Sequence, residues 1–377
     1  MNTAPLKPLS TVILASNIHP LLSPRSFRAT ELAKELSRQG HHVTLYALLG
    51  DYDYSQFCTE TGVKVKGYTK SYWGNKNSDD KIKLNFTKRV FIKLFRRSLD
   101  FPRIEYMFKV KKALKIENNF DYLISIAHPF TIHWGVLYYL RNNKKKFRVW
   151  TSDCGDPFMS NLFTSYSFYF RYVEKYWYRI TDYITIPILE SKKGYFEEAQ
   201  DKLKVIPQGF DFSNIELSNY KKNKVPTFAY AGNVYTELRD PTMFLEYLTT
   251  VNYDFKFIVY TKSTSFFEAY QNKLDYKMEI RDFIPRNNLL KELSNMDFLV
   301  NIINETSLQQ PSKLIDYALS ERPILQVSSG FKEQINFENF IQEDYSNQFV
   351  LLNQDDYDIR NVVKQFLSLY YEKINTL

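Results

Sequence analysis

The stretch TVILASNIHPLLSPRSFRATELAKELSRQGHHVTLYAL (Thr11–Leu48) decides the architecture. It opens on a β-branched run, Thr11–Ser16, and passes through a loop that contains no glycine. Leu32 and Leu36 then recur at helical spacing within Phe27–Gln39, and Gly40 leads into a second apolar run, His42–Leu48. Strand, helix, strand with both strands apolar throughout is the signature of a βαβ unit in a buried parallel sheet. The pattern repeats outward. Tyr122–Ala127, Phe147–Ser152 and Tyr183–Ile188 extend the first series. Thr227–Gly232, Phe257–Thr261, Glu279–Ile284, Phe298–Ile303 and Pro323–Val327 form a second, with helical spacing at Pro241–Thr250 and Leu314–Ser320. Two such series predict two doubly wound α/β domains, with ligands beyond the carboxyl ends of the strands, in a cleft between the domains.

Pro and Gly interrupt the pattern at VIPQGFDF (Val205–Phe212), just before the Lys-rich Asn219–Lys224. The expected division is therefore 1–207, 208–357 and 358–377, the last an amphipathic helix (Val362, Val363, Phe366, Leu367, Tyr370) returning to the first domain. A chain of 377 residues, 44% apolar and 24% charged, buries two cores without a metal or disulfide staple. The 29 Tyr and 30 Phe suit sugar and interface surfaces, though a genome biased toward Asn, Lys, Tyr and Ile is the plainer reading of most of them. Cys58 and Cys154 stand far apart with no Cys or His pair beside either, which argues against zinc and fits a reducing compartment. No apolar run reaches membrane-spanning length, and Met1–Ser10 has no signal core, so a cytoplasmic location is expected. The net charge of +8 leaves nucleic acid, an anionic membrane face or a phosphorylated substrate as partners. No nucleic-acid recognition motif is present.

Five stretches in order resemble the family-4 retaining glycosyltransferases of GT-B fold, of the bacterial surface-polysaccharide type. They are His19–Ala47; DYLISIAHPFTIHWG (Asp121–Gly135); YRITDYITIPILESKKGYF running into KLKVIPQGFD; FAYAGNVYTELRDPTMFLEYL (Phe228–Leu248); and IPRNNLLKELSNMDFLVNI followed by QQPSKLIDYALSERPIL. The resemblance spans most of residues 11 to 327. It implies two Rossmann-like domains facing a cleft and transfer of a sugar, with retention, from a nucleotide-sugar donor to a glycan acceptor. It implies no cofactor and no metal.

Pro311-Ser312-Lys313 opens a helix, so the amides around Ser312 and the Lys313 charge form a ready diphosphate site, and Asp316 lies one turn deeper on the same face. In the resembling enzymes the acid matching Asp316 binds the ribose; a capped surface helix is the plainer reading. Arg239 follows the turn at Gly232 and Asn233 and can clamp phosphate oxygens, or pair with Asp240 or Glu237. The family usually has a basic residue where Asn233 stands, and often a glutamate where Leu308 stands; Glu305 or an amide near Gln309 are replacements between which the sequence does not choose. His128 ends a strand, and the matching family histidine contacts the donor sugar, which a neutral or cationic imidazole can do. His133 reads as structural, and His41 and His42 as exposed turn residues. Asp153 and Asp156, after the next strand, are candidate bases toward an acceptor hydroxyl or caps of the following helix. Ser23, Arg25 and Arg28 border the same side, where the arginines can meet phosphate. The family's glycine pair is absent from that loop.

From Lys81 to Leu99 there are seven Lys or Arg and no acid. Arg89, Lys93, Arg96 and Arg97 share one helical face and Val90, Phe91, Leu94 and Phe95 another, the pattern of a helix on an anionic membrane. An ordinary surface helix gives the same pattern. A lipid-linked acceptor at the inner face of the plasma membrane is the corresponding expectation. The alternatives are a nucleotide-sugar epimerase of similar fold, which needs several carboxylates for proton abstraction, and a non-catalytic sugar-binding protein. A dinucleotide oxidoreductase is disfavoured because NIHPLLSPRSFR contains no G-x-G-x-x-G. Asp51–Asp53 is an Asp-x-Asp pair placed away from any donor site.

Overall fold

A computed structural model describes residues 7–21, 23–69, 95, 98–161, 166–213, 215–234, 240–303 and 313–376. The chain folds as two compact units, Met1–Asp211 with Asp356–Leu377, and Phe212–Asp355. In the first, β1 (Ser10–Leu14), β2 (His42–Ala47), β3 (Lys64–Gly67), β4 (Tyr122–Ile126), β5 (Val149–Asp153), β6 (Tyr183–Ile186) and β7 (Leu203–Val205) form one sheet. Its order is β3-β2-β1-β4-β5-β6-β7 and every pairing is parallel. Between the strands run α1 (Pro24–Arg38), α2 (Ser55–Thr61), α3 (Glu105–Ile116), α4 (Thr131–Asn142) and α5 (Phe170–Ile180).

Strand residues alternate between two cores. Val12 and Leu14 of β1 join Val110, Ile132 and Trp177 from α3, α4 and α5. Ile13 joins Leu32 and Leu36 of α1 and Phe57 of α2 on the opposite face. The order reverses at β1, whose neighbours are β2 and β4. The connections leaving the carboxyl ends of β1 and β4 therefore pass to opposite faces of the sheet, the topological position at which a ligand crevice is expected.

The second unit holds β8 (Thr227–Ala231), β9 (Lys256–Tyr260), β10 (Met278–Arg281), β11 (Phe298–Ile302) and β12 (Ile324–Val327), parallel in the order β10-β9-β8-β11-β12. Its helices are α6 (Thr242–Thr250), α7 (Thr264–Leu274), α8 (Arg286–Leu293), α9 (Lys313–Leu319) and α10 (Gln334–Ile341). Here the reversal falls between β8 and β11. The last helix, α11 (Ile359–Asn375), is capped by Asp358 and returns Val362, Val363, Phe366 and Tyr370 to the core that α1 lines in the first unit.

Ten strands stand where the apolar runs predict them. The two that the sequence hides are β3 and β7, both at sheet edges. Their sequences, KVKG and LKV, carry lysine where a central strand carries an apolar residue, as edge strands do. One correction concerns His41. It is buried, and its Nδ1 accepts the Leu9 amide at 3.0 Å; His42 is exposed as expected. Both cysteines are free.

Candidate active site

At the crevice of the first unit, His128 follows β4. Its Nε2 lies 2.5 Å from Arg103 Nη1. A guanidinium only donates, so Nε2 is the acceptor and the proton of the neutral ring sits on Nδ1. Partial removal from water, then the charges of Arg103 and Arg25, lower the His128 pKa to about 4. The ring is therefore neutral at neutral pH. Of the two forms the sequence left open, the structure selects the uncharged one. Ser16 Oγ donates to the His128 carbonyl at 3.0 Å, and Arg25 Nε to the Ala127 carbonyl at 2.6 Å. These bonds tie the loop after β1 and the first turn of α1 to the loop after β4.

Asp153 ends β5 and is almost wholly buried. Its carboxylate takes Arg25 Nη2, Arg28 Nη2 at 2.9 Å and Thr185 Oγ1 at 2.8 Å. Burial alone would raise its pKa, but Arg28 and Arg25 outweigh that and hold it at about 2. The expectation of a base at Asp153 is thereby corrected. A carboxylate committed to two guanidiniums has little affinity for a hydroxyl proton. It does not cap a helix either, since α5 begins only at Phe170.

Arg28 is corrected in the same way. Only 2% exposed, it donates to the carbonyls of Pro207 (2.5 Å) and Ile206 (3.3 Å), and its guanidinium sits 4.9 Å from the Phe366 ring. It fastens α1, β5, the chain beyond β7 and α11 to one another, and is not available to a substrate phosphate. Ser23 accepts the Ser26 amide and caps α1, with Pro24 opening the helix. Arg25 keeps about a fifth of its side chain exposed. Asp156 is half-buried, and its backbone carbonyl accepts the Tyr195 hydroxyl at 3.3 Å. His133 is buried, bonded to Ser125 Oγ at 2.8 Å and stacked 4.8 Å from Trp177. Asp53 accepts the amide and hydroxyl of Ser55 at the start of α2.

In the second unit a cavity of about 200 Å³ lies beyond the carboxyl ends of β8 and β9, lined by Gly232, Asn233, Tyr260, Phe283, Lys313 and Asp316 among others. Gly232 has φ of +146°, and a Cβ there would stand 3.3 Å from the Tyr230 hydroxyl, so glycine is needed for the turn. Tyr230 in turn donates to the Asn233 carbonyl at 3.0 Å, and Asn233 Oδ1 accepts the Lys262 amide at 3.1 Å. Lys313, the first residue of α9, holds its ammonium 4.2 Å from the centre of the Tyr230 ring, a cation–π contact. Asp316 Oδ1 meets Arg286 Nε at 2.7 Å. Burial raises the Asp316 pKa, and Arg286 only partly offsets it. One cation, an Arg–Asp pair and flat aromatic walls offer contacts to an anion joined to a ring or a polyol.

Two residues here escaped the sequence reading. Arg103 lies in none of the quoted stretches, and Arg286 lies in IPRNNLLKELSNMDFLVNI without standing out there; each shows only as an arginine near the start of an amphipathic helix. Arg239 and Ser312 lie outside the described residues, as do Pro311, Leu308, Glu305 and Gln309 and the membrane candidates Arg89, Lys93, Arg96 and Arg97, with Val90, Phe91 and Leu94.

No protein-family model and no curated protein matches the chain in sequence. Solved structures do match in fold. A glycosyltransferase from Rickettsia africae aligns with TM-score 0.62 at 12% identity, over 97% of this chain and 99% of that one. Anabaena HepE, in complex with UDP and glucose, gives 0.59 at 9% over 98% and 100%. The lipopolysaccharide outer core galactosyltransferase WaaB gives 0.56 at 12% over 97% and 98%. The likeness runs nearly the full length of both partners each time, and its reach is the fold: this chain has the two-unit α/β architecture of the GT-B glycosyltransferases.

Proposed function

We propose that the protein is a glycosyltransferase that moves a sugar from a nucleotide-sugar donor to a glycan acceptor. The observation that carries this is the cavity beyond β8 and β9, with Lys313 at its edge and the Arg286–Asp316 pair on its wall, in a fold whose solved examples include one holding UDP and glucose. In this reading Lys313, with Arg239 and the amides around Ser312, takes the diphosphate. Asp316, oriented by Arg286, takes ribose hydroxyls, and Asn233 shapes the turn beside them. Fixed cations balance the leaving diphosphate, so no metal ion is required. His128 supplies a neutral N–H donor at Nδ1 toward the donor sugar, whose configuration is retained. Arg25 and Asp156 face the acceptor. That acceptor is lipid-linked, and the protein works at the cytoplasmic face of an anionic bacterial membrane in surface polysaccharide or lipopolysaccharide synthesis.

An epimerase would need carboxylates free to move protons. Asp153 is locked between two arginines, and this favours transfer. The test is a thermal-shift series with nucleotide sugars in the presence of chelator. A ligand that binds only the native state must raise its melting temperature. At least one nucleotide sugar should do so, and Lys313→Ala should remove the shift. A flat response to every nucleotide sugar would end the proposal.

A further inference from the structure

The two helical faces of the first unit differ in what they show to solvent. Among the described residues, no exposed large apolar side chain lies on α1, α2 or α11. On the other face Phe108 and Ile116 of α3 are exposed, and α5 carries a continuous row. Phe168 lies in the turn before the helix, and Tyr172, Tyr176 and Ile180 follow four residues apart, 73%, 57%, 48% and 40% exposed. Arg171, Lys175 and Arg179 run beside that row at the same spacing. Residues four apart lie one above another on a helix, so an aromatic stripe sits against a basic one. The inward face of the same helix (Phe170, Glu174, Trp177, Tyr178) is fully buried, so the outward row is not spare core.

Charge decides what covers it. The only acids on α3, α4 and α5 are Glu105, which pairs with Lys109 at 2.8 Å, and Glu174, which is buried. Lys175 shares its charge with Glu198 at 2.5 Å, whereas Arg171 lies 4.9 Å from the Tyr172 ring and Arg179 is exposed. Lys112, Lys115 and Arg141 add exposed cations to the same layer. Tyrosine presents an apolar ring and a wet hydroxyl, and with arginine and lysine it is the composition favoured at a bilayer interface. At 11 residues α5 is too short to cross a bilayer and suited to lie along one.

The surface also continues to the crevice. The Tyr169 hydroxyl donates to the Ser98 carbonyl, and the same segment leads on to Arg103, the residue that holds His128.

We infer that the outer face of α3 and α5, centred on Phe168, Tyr172, Tyr176 and Ile180 with Arg171 and Arg179, docks on an anionic lipid bilayer. This deepens the proposed function by naming the surface that meets the membrane, and rests on it only for the lipid-linked acceptor.

The test is sedimentation of the full chain with phosphatidylcholine vesicles, with and without phosphatidylglycerol. Two variants are compared: Phe168→Ser with Tyr172→Ser and Tyr176→Ser, and Arg171→Gln with Arg179→Gln. All five side chains are outward, so circular dichroism should show native folding, and thermal shift with a nucleotide sugar should match wild type. Wild type should sediment only with the anionic vesicles and release as salt rises. Each variant should bind about tenfold more weakly or less. Three outcomes would overturn the inference: no binding of wild type at low salt, binding of both variants as tight as that of wild type, or variants that change only the oligomeric state, which would make a second copy the occupant. Donor binding is read separately, so a failure of docking and a failure of the glycosyl-transfer reading are distinguishable.

Discussion

The crevice of the first unit and the cavity of the second both lie at the carboxyl ends of parallel strands, yet they use charge in opposite ways. Around β1, β4 and β5 the arginines are engaged by the protein itself: Arg28 and Arg25 hold Asp153, Arg25 also holds the Ala127 carbonyl, and Arg103 holds His128. What faces outward there is a neutral imidazole. Beside β8 the Lys313 ammonium rests on the Tyr230 ring at the edge of an open cavity. The first region is a polar frame, and in the proposed reading the second receives the donor's diphosphate.

The largest effect that would break this comparison is expected at Asp153. Asp153→Ala leaves the buried Arg28 without its carboxylate and should cost about 3–5 kcal/mol of stability, measured by denaturant unfolding. A loss within experimental error would mean that the ion cluster is no frame.

Glu174 bears on the same point, because it is a buried acid in the same unit with no guanidinium bound to it among the described residues. Removal from water outweighs its contacts with Tyr178 and the Met159 and Phe158 amides, and its pKa rises from 4.5 to about 7. Below pH 4.5 both folded and unfolded states are protonated. Between about pH 4.5 and 7 the unfolded state ionises first, so stability should fall as pH rises, by about 3 kcal/mol in all, and level off above. Glu174→Gln should flatten that window in unfolding curves taken across it. Asp153, held at about 2, contributes in the opposite direction, and only at lower pH.

For the second region, Lys313→Ala should weaken nucleotide-sugar binding by about 1.5–3 kcal/mol by calorimetry, with unchanged folding. Unaltered affinity would make Lys313 an ordinary helix-opening residue. The smallest effect is at Arg103. Arg103→Gln should raise the His128 pKa from about 4 part of the way toward 6.5, because burial, the larger cause, remains. Nitrogen NMR of the imidazole reads both this shift and the Nδ1–H tautomer. An Nε2–H ring in the wild type would contradict the Arg103 contact.

These predictions also mark what was legible in the sequence. The sheets were, because a buried parallel strand such as YLISI is apolar at every position. The helix α11 was legible too, through the apolar stripe of Val362, Val363, Phe366, Leu367 and Tyr370. The crevice was misread where a charged residue's partner is remote in sequence. Asp153 stands at a strand end and Arg28 reads as part of a strand-to-helix loop, positions where ligand contacts cluster, but Arg28 lies within α1 and the two find each other across 125 residues. Arg103 and His128 are 25 residues apart, and Arg286 and Asp316 are 30 apart. Periodicity reports which residues share a face of one element. It carries no information about which elements the fold sets side by side.

Metal-free glycosyl transfer is decided by following nucleoside diphosphate release from the nucleotide sugar that stabilises the protein, in the presence of EDTA, for wild type, His128→Ala and Lys313→Ala. Wild type should turn over despite the chelator, His128→Ala should lower kcat with little change in donor KM, and Lys313→Ala should raise the donor KM. Release that stops with EDTA and returns with magnesium or manganese, or release indifferent to both substitutions, would contradict it.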